Sequence, residues 1–178
     1  MPHRRAVEAF VCLGSNLGDP VENLARALER LGRIPGVRPG GASRVYRTEP
    51  QDRRDQPWFA NQVARVLCDE TVTPHGLLDA LLGIELALGR DRSTGPGAPA
   101  RFGPRVIDLD LLLFGGLVLR DARLELPHPR MGQRAFVLVP LAELAPGLRL
   151  PGGQAVEDAL ARLDFQVVSG PQGEEIRQ

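Results

Sequence analysis

One run of nine residues constrains this chain more than any other: Val106-Ile107-Asp108-Leu109-Asp110-Leu111-Leu112-Leu113-Phe114, an apolar stretch broken by two aspartates spaced two apart. Its length and composition predict a strand. Strand residues two apart face the same way, so the two carboxylates share one face, about 6.6 Å from each other at roughly 3.3 Å per residue. Burying charge that nothing neutralises is costly, so this face demands cations. Three sources stay open on these residues alone: hard divalent ions such as Mg²⁺, which take carboxylate and phosphate oxygens; arginine partners; or water, if the strand lies at a solvated edge.

Arginines are at hand. Arg90, Arg92, Arg101 and Arg105 surround Asp91 to Ala100 (DRSTGPGAPA), a Gly/Pro-rich segment read as a mobile loop. Guanidinium forks match phosphate oxygens, and cations beside a metal-binding carboxylate pair are what phosphoryl-type transfer needs. Strict alternation puts Arg105 on the face opposite Asp108 unless the strand begins after it, and Gly103-Pro104 makes a late start reasonable. Asn61, just after Trp58-Phe59, has the chemistry to read a ligand's polar edge, or simply to close a turn. His128 lies between two prolines and suits a phosphate contact or a stiff loop.

All 22 basic residues are arginine, which excludes Schiff-base, pyridoxal-phosphate and Walker-A chemistry, each of which needs a lysine. The 22 acidic residues cancel them, so no long-range field draws nucleic acid or anionic lipid and any anion site must be local. Cys12 and Cys68 stand in apolar runs without CxxC spacing and read as buried thiols. With 178 residues, 43% of them hydrophobic, the chain fits one domain with a real core. Met1 to Arg5 is too short and polar for a signal peptide and no apolar run reaches roughly 18 residues, so a cytoplasmic location is expected.

Ala6 to Leu13 predicts a first strand. Asp19, Pro20 and Glu22 then supply an N-cap, a first helical residue and a capping box for a helix that Gly32 ends. Ala42 to Thr48 and Gln62 to Asp69 read as strands around a polar loop over 49–57. Thr73-Pro74 opens a helix with a Leu77, Leu78, Leu81, Ile84, Leu88 stripe. Gly115-Gly116 suggests a hairpin from the aspartate strand into Leu117 to Leu119. Gln133 to Leu144, with Pro140 kinking or ending it, and Ala155 to Leu163 read as helices, and 169–178 as a disordered tail. This order matches a ferredoxin-like α+β sandwich, an antiparallel sheet with helices packed on its faces, in the simplest form on one face only. Residues 1–168 are expected to form the single domain.

Together, several segments resemble the 6-hydroxymethyl-7,8-dihydropterin pyrophosphokinases, folate-pathway enzymes that transfer pyrophosphate from ATP to a pterin alcohol. They are Leu-Gly-Ser-Asn-Leu-Gly-Asp (13 to 19), Val-Tyr-Arg-Thr-Glu-Pro (45 to 50), Asp-Gln-Pro-Trp-Phe-Ala-Asn (55 to 61), Glu85 with Gly89-Arg90, Arg-Phe-Gly-Pro-Arg-Val-Ile-Asp-Leu-Asp (101 to 110) and Leu-Pro-His-Pro-Arg-Met (126 to 131). The resemblance implies that Asp108 and Asp110 hold two Mg²⁺ ions, with ATP as co-substrate, and that Arg90 and Arg105 stabilise the transferring phosphates. It further implies nucleotide contacts from Glu85, Arg92, Arg123, His128 and Arg134, and pterin contacts from Thr48, Pro50, Phe59, Asn61, Phe102 and Phe136. The segments 49–57 and 91–104 would act as lids that exclude water. Phe102 stands where the family usually has Trp, and Phe59 and Pro129 where it has Tyr. The partners implied are the two small molecules, with no nucleic acid or membrane, and a monomer is expected.

Two rivals remain on the residues: an RNA-binding sheet, disfavoured by 4% aromatic content and zero net charge, and a metal-dependent phosphohydrolase that would consume ATP without pterin.

Overall fold

The computed structural model describes residues 6–50, 55–90 and 103–164, with the backbone of 166–169 and 174–177. Arg92, Arg101, Phe102 and much of both proposed lids lie outside the described residues. At the centre is β1 (Val7–Ser15), antiparallel to β4 (Phe59–Cys68) on one side and to β5 (Asp108–Phe114) on the other. Beyond β4 the sheet continues through β3 (Tyr46–Thr48), β8 (Gln166–Ser169) and β9 (Glu174–Arg177), and β2 (Val37–Ala42) also pairs with β4. Among the described residues this makes seven strands, with β5 at an edge.

Helix α1 (Pro20–Leu31) starts where expected: the Asp19 carboxylate accepts from the Glu22 N–H at 3.1 Å, and Gly32 closes it. Thr73 caps α2 (Pro74–Ala87) in the same way, accepting from the Gly76 N–H at 3.0 Å. The chain leaves α2 through Gly89 at φ +92°, a conformation that favours glycine. Leu77, Leu81 and Ile84 of α2 pack with Val11, Leu13, Leu109 and Leu111 on one face of the sheet. Phe10 of β1, Val63 of β4 and, past the register shift between β1 and β5, Leu113 pack on the other face beneath α3 (Ala135–Leu144) and α4 (Val156–Leu160).

The fold is therefore the ferredoxin-like α+β sandwich, with helices on both faces rather than one. Pro140 lies inside α3 and the helix runs on to Leu144, because buried Val137, Leu138 and Leu141 hold its turns on the sheet despite the missing N–H donor. The strand expected over 42–48 is split: β2 ends at Ala42, Ser43 pairs with Val63, and β3 begins at Tyr46. Strand β4 starts at Phe59, earlier than Gln62, which puts Phe59 and Asn61 on the sheet. The residues after Gly115-Gly116 do not return along β5; β6 (Leu119–Arg120) pairs with β7 (Glu125–Leu126) instead. The outer edge of β5 is already occupied, since the Leu109 N–H donates to Glu85 Oε1 at 2.7 Å and the Leu112 carbonyl accepts from the His128 N–H at 2.9 Å. The expected disordered tail gives way, over Glu174–Arg177, to a strand paired with β8.

Candidate active site

Register lays out the site. Gly14 stands opposite Asp108 on β5 and opposite Asn61 on β4; Cys12 stands opposite Asp110 and Val63. Directly opposed residues share a face, so Asp108, Gly14 and Asn61 form one row across three strands, and Asp110, Cys12 and Val63 the next. Both rows lie on the α3 side. Because α3 begins only at Ala135, it seals the apolar end of this face and leaves the polar end as a cleft of about 340 Å³. Gly14 keeps the floor open: a Cβ there would lie 3.0 Å from Asn61 Oδ1.

Strand β5 begins at Asp108, so Arg105 precedes the alternation and turns back onto the carboxylate face. Its guanidinium donates to Asp108 Oδ2. Asn16, buried at the end of β1, fixes the Arg105 backbone: Asn16 Oδ1 accepts from the Arg105 N–H at 2.8 Å and the Asn16 N–H donates to the Arg105 carbonyl at 3.1 Å. Arg90 follows the end of α2, on the opposite face, and wraps around the β5 edge. Its Nη1 donates to Asp108 Oδ1, to Glu85 Oε1 at 2.7 Å and to the Ile107 carbonyl at 3.3 Å.

Asp110 is held more loosely. Arg134 Nη1 lies 3.5 Å and His128 Nε2 4.0 Å from its Oδ2. Arg134 Nε is buried with no partner among the described residues, a donor left for an acceptor that enters the cleft. Burial pushes Asp108 up, but the charges and hydrogen bonds of Arg90 and Arg105 outweigh it and hold this carboxyl below the ordinary range. Burial and the neighbouring Asp108 charge push Asp110 above that range, against the pull of His128, Arg134 and Arg90. Burial lowers His128, with Arg134 and Arg130 opposing the Asp110 charge, and burial raises the Cys12 thiol.

The recess beside this cluster is apolar with polar punctuation. Phe59 and Phe136 line it, Asn61 Nδ2 donates to Thr48 Oγ1 at 2.6 Å, and the Arg134 guanidinium lies 5.5 Å from the Phe136 ring centre. Asn16 Nδ2 reaches this side too, donating to Gln56 Oε1 at 3.2 Å and to the Pro57 carbonyl at 3.0 Å.

Three of the residues expected to contact ligand do not line this cleft as described. Glu85 is fully buried beneath the site, where it binds Arg90 and the β5 backbone rather than lining the cleft. Arg123 pairs with Asp79 on the flank of α2. Pro50 is buried but not part of the cleft wall. The cleft is also lined by Gly14, Glu49, Gln56 and Arg130, which lie within the family-like segments but carried no role of their own in the sequence. A signal for Glu85 was present: it follows Leu81 by four residues, on the buried stripe of α2, where a carboxylate needs a buried partner.

The model of the 7,8-dihydro-6-hydroxymethylpterin-pyrophosphokinase (HPPK) family matches residues 10–146. The chain belongs to this family. It is 51% identical over 156 residues to a 2-amino-4-hydroxy-6-hydroxymethyldihydropteridine pyrophosphokinase of Methylorubrum extorquens, covering 88% of this chain and 93% of that one. A protein of the same name from Pseudomonas aeruginosa is 46% identical over 157 residues, covering 88% and 92%. In three dimensions, a crystal structure of a Plasmodium falciparum HPPK-DHPS triple mutant with pteroate aligns with TM-score 0.65 at 12% identity, a likeness of fold. The alignment covers 90% of this chain and 44% of that one, so this chain spans less than half of that protein. The HPPK match ends before α4, β8 and β9; the cleft, from Cys12 to Phe136, lies inside it.

Proposed function

We propose that the chain transfers a pyrophosphoryl group from ATP to the hydroxymethyl oxygen of 6-hydroxymethyl-7,8-dihydropterin, releasing AMP. One observation carries this reading beyond family membership: a carboxylate pair ringed by arginines shares an open strand face with an aromatic, amide-lined recess. Asp108 and Asn61 are two strand spacings apart, roughly 9.6 Å at about 4.8 Å each, with only Gly14 between them. A flat ring against Asn61 thus brings a short alcohol arm to phosphates held at the carboxylates.

The donor set fits Mg²⁺. Asp108 and Asp110 offer hard oxygens on one face, and the raised Asp110 marks negative charge that its neighbours do not fully match. These two residues would hold the ions, two in this reading, and bound Mg²⁺ would supply neutralisation of phosphate charge. Arg90 and Arg105 take charge that spreads over the transferring group. Arg134, with its spare Nε donor, and His128 hold the nucleotide; Glu85 positions Arg90. Asn61 reads the polar edge of the pterin, Phe59 and Phe136 stack on it, and Thr48 fixes the Asn61 amide. The hydroxymethyl oxygen bonds to the β-phosphorus and gives up its proton to solvent, the bond from that phosphorus to the α-phosphate's bridging oxygen breaks, and AMP leaves with that oxygen.

Further parts of the proposal are a single domain over 1–168, a cytoplasmic location, a monomer, and partners limited to the two small molecules. Among the described residues no helix is long and apolar enough to cross a membrane. The test is AMP formation by the purified protein from ATP and Mg²⁺, with and without the pterin. The expected result is pterin-dependent AMP that Asp110→Ala reduces by a factor on the order of 10²–10³ or more, the usual cost of losing one such electrostatic group. ADP or free phosphate formed without pterin would instead support a phosphohydrolase.

A further inference from the structure

Both oxygens of Asp108 are occupied by the protein itself: Arg90 donates to Oδ1 and Arg105 to Oδ2. A divalent cation approaching this carboxylate therefore meets two guanidinium charges already seated on its oxygens and must compete with them. Each arginine has somewhere to go. Arg90 keeps the fully buried Glu85 carboxylate at 2.7 Å when it lets go of Asp108, so its charge is never stranded. Arg105 is anchored through its backbone, by Asn16 at 2.8 Å, while among the described residues its side chain has a long 3.4 Å contact to the Gly103 carbonyl besides Asp108. That side chain can swing without moving the chain. What draws two guanidiniums from a carboxylate is a better-matched anion with several oxygens. Among the described residues Asp110 is held more loosely, by a long 3.5 Å bond from Arg134 Nη1 and by His128 Nε2 at 4.0 Å.

We propose that Arg90 and Arg105 are a built-in plug of the metal site, filling both oxygens of Asp108 until nucleotide phosphates draw them off, so that divalent cation and nucleotide bind as a coupled pair. This rests on the metal and nucleotide placement proposed above. Its consequence runs against intuition: removing a phosphate-binding arginine strengthens binding of the metal alone. By thermodynamic reciprocity, whatever tightens the metal on adding nucleotide tightens the nucleotide on adding metal.

The experiment titrates the full chain with Mn²⁺, followed by the free-ion electron paramagnetic resonance signal, with and without a non-hydrolysable ATP analogue and with the analogue's own Mn²⁺ binding subtracted. The wild type should bind Mn²⁺ weakly alone and roughly 5- to 150-fold more tightly with the analogue, the usual range of such couplings. Arg105→Ala should bind Mn²⁺ alone more tightly than the wild type and lose much of the enhancement; Asp108→Asn should erase the gain. Arg105→Gln, which keeps the bulk of the side chain, guards against a folding defect, monitored by circular dichroism. If both Arg105 variants fold and bind Mn²⁺ alone no more tightly than the wild type, the plug is wrong. Wild-type Mn²⁺ affinity indifferent to the analogue overturns it as well. Pterin-dependent AMP release, measured in parallel, separates either result from a failure of the proposed reaction.

Discussion

Asp108 and Asp110 share one strand and one face, yet their surroundings differ. Asp108 lies at the mouth of β5, within reach of chain arriving from two directions: Arg90 from the end of α2, and Arg105 from the turn that leads into the strand. One step further in, among the described residues Asp110 meets the loop before α3, whose Arg134 and His128 make only long contacts of 3.5 and 4.0 Å. Periodicity places charges on a face; what reaches them around the edges sets their electrostatics. The outcome is one carboxylate held below the ordinary range and one above it.

The contrast is testable by removing each charge in turn. Asp108→Asn removes the negative charge and one of the two acceptor oxygens shared by two partly buried guanidiniums, and should destabilise the ligand-free protein by roughly 1–3 kcal/mol in a urea titration at pH 7. Since the folded pKa of Asp108 is lowered, its stabilisation is present above the unfolded value near 4 and is lost as pH falls through the folded value. The deficit of the variant should therefore shrink in acid. Asp110→Asn should move the other way, with a smaller effect. A raised folded pKa means that ionising Asp110 costs stability, a cost that grows as pH climbs from about 4 through the raised value. The variant should thus melt slightly above the wild type at pH 7 and level with it in acid, while losing activity. Equal and same-signed shifts for the two variants would erase the distinction.

The smallest effect belongs to a pair outside the cluster. Glu29 in the last turn of α1 and Arg33 just beyond its end form an ion pair with 61% and 73% of their side chains exposed. Glu29→Ala should change stability by less than about 0.5 kcal/mol. A larger change would mean that solvent-exposed charge carries weight here comparable to the buried cluster.

Much of this architecture is legible in the residues because it is written locally. The caps at Asp19 and Thr73, the stripe of α2 and the alternation of β5 each lie within a few positions of one another, and so do Arg105 and Asp108. Strand β2 escapes such reading because Pro39-Gly40-Gly41 has the composition of a turn; only its pairing with β4, across a bulge at Pro39 and Gly41, makes it a strand. The same holds for the cleft floor. Gly14 matters because Asp108 and Asn61 flank it, and they come from segments 94 and 47 residues further along the chain. Asn16 likewise ties Arg105 to Gln56 and Pro57, contacts that no spacing within the chain announces. Glu85 is intermediate, since its place on an apolar stripe declares burial while its partners become visible only in three dimensions.

The central claim is transfer of an intact pyrophosphoryl group, and the most direct measurement follows two phosphorus labels. ATP carrying ³²P at the β position, and separately at the γ position, is incubated with the protein, Mg²⁺ and the hydroxymethyl-dihydropterin, and the products are separated. The account predicts that both labels enter the pterin product in equal amounts and that AMP emerges unlabelled. Label from the γ position alone in the pterin, with ADP left behind, or label only in inorganic phosphate, would contradict it.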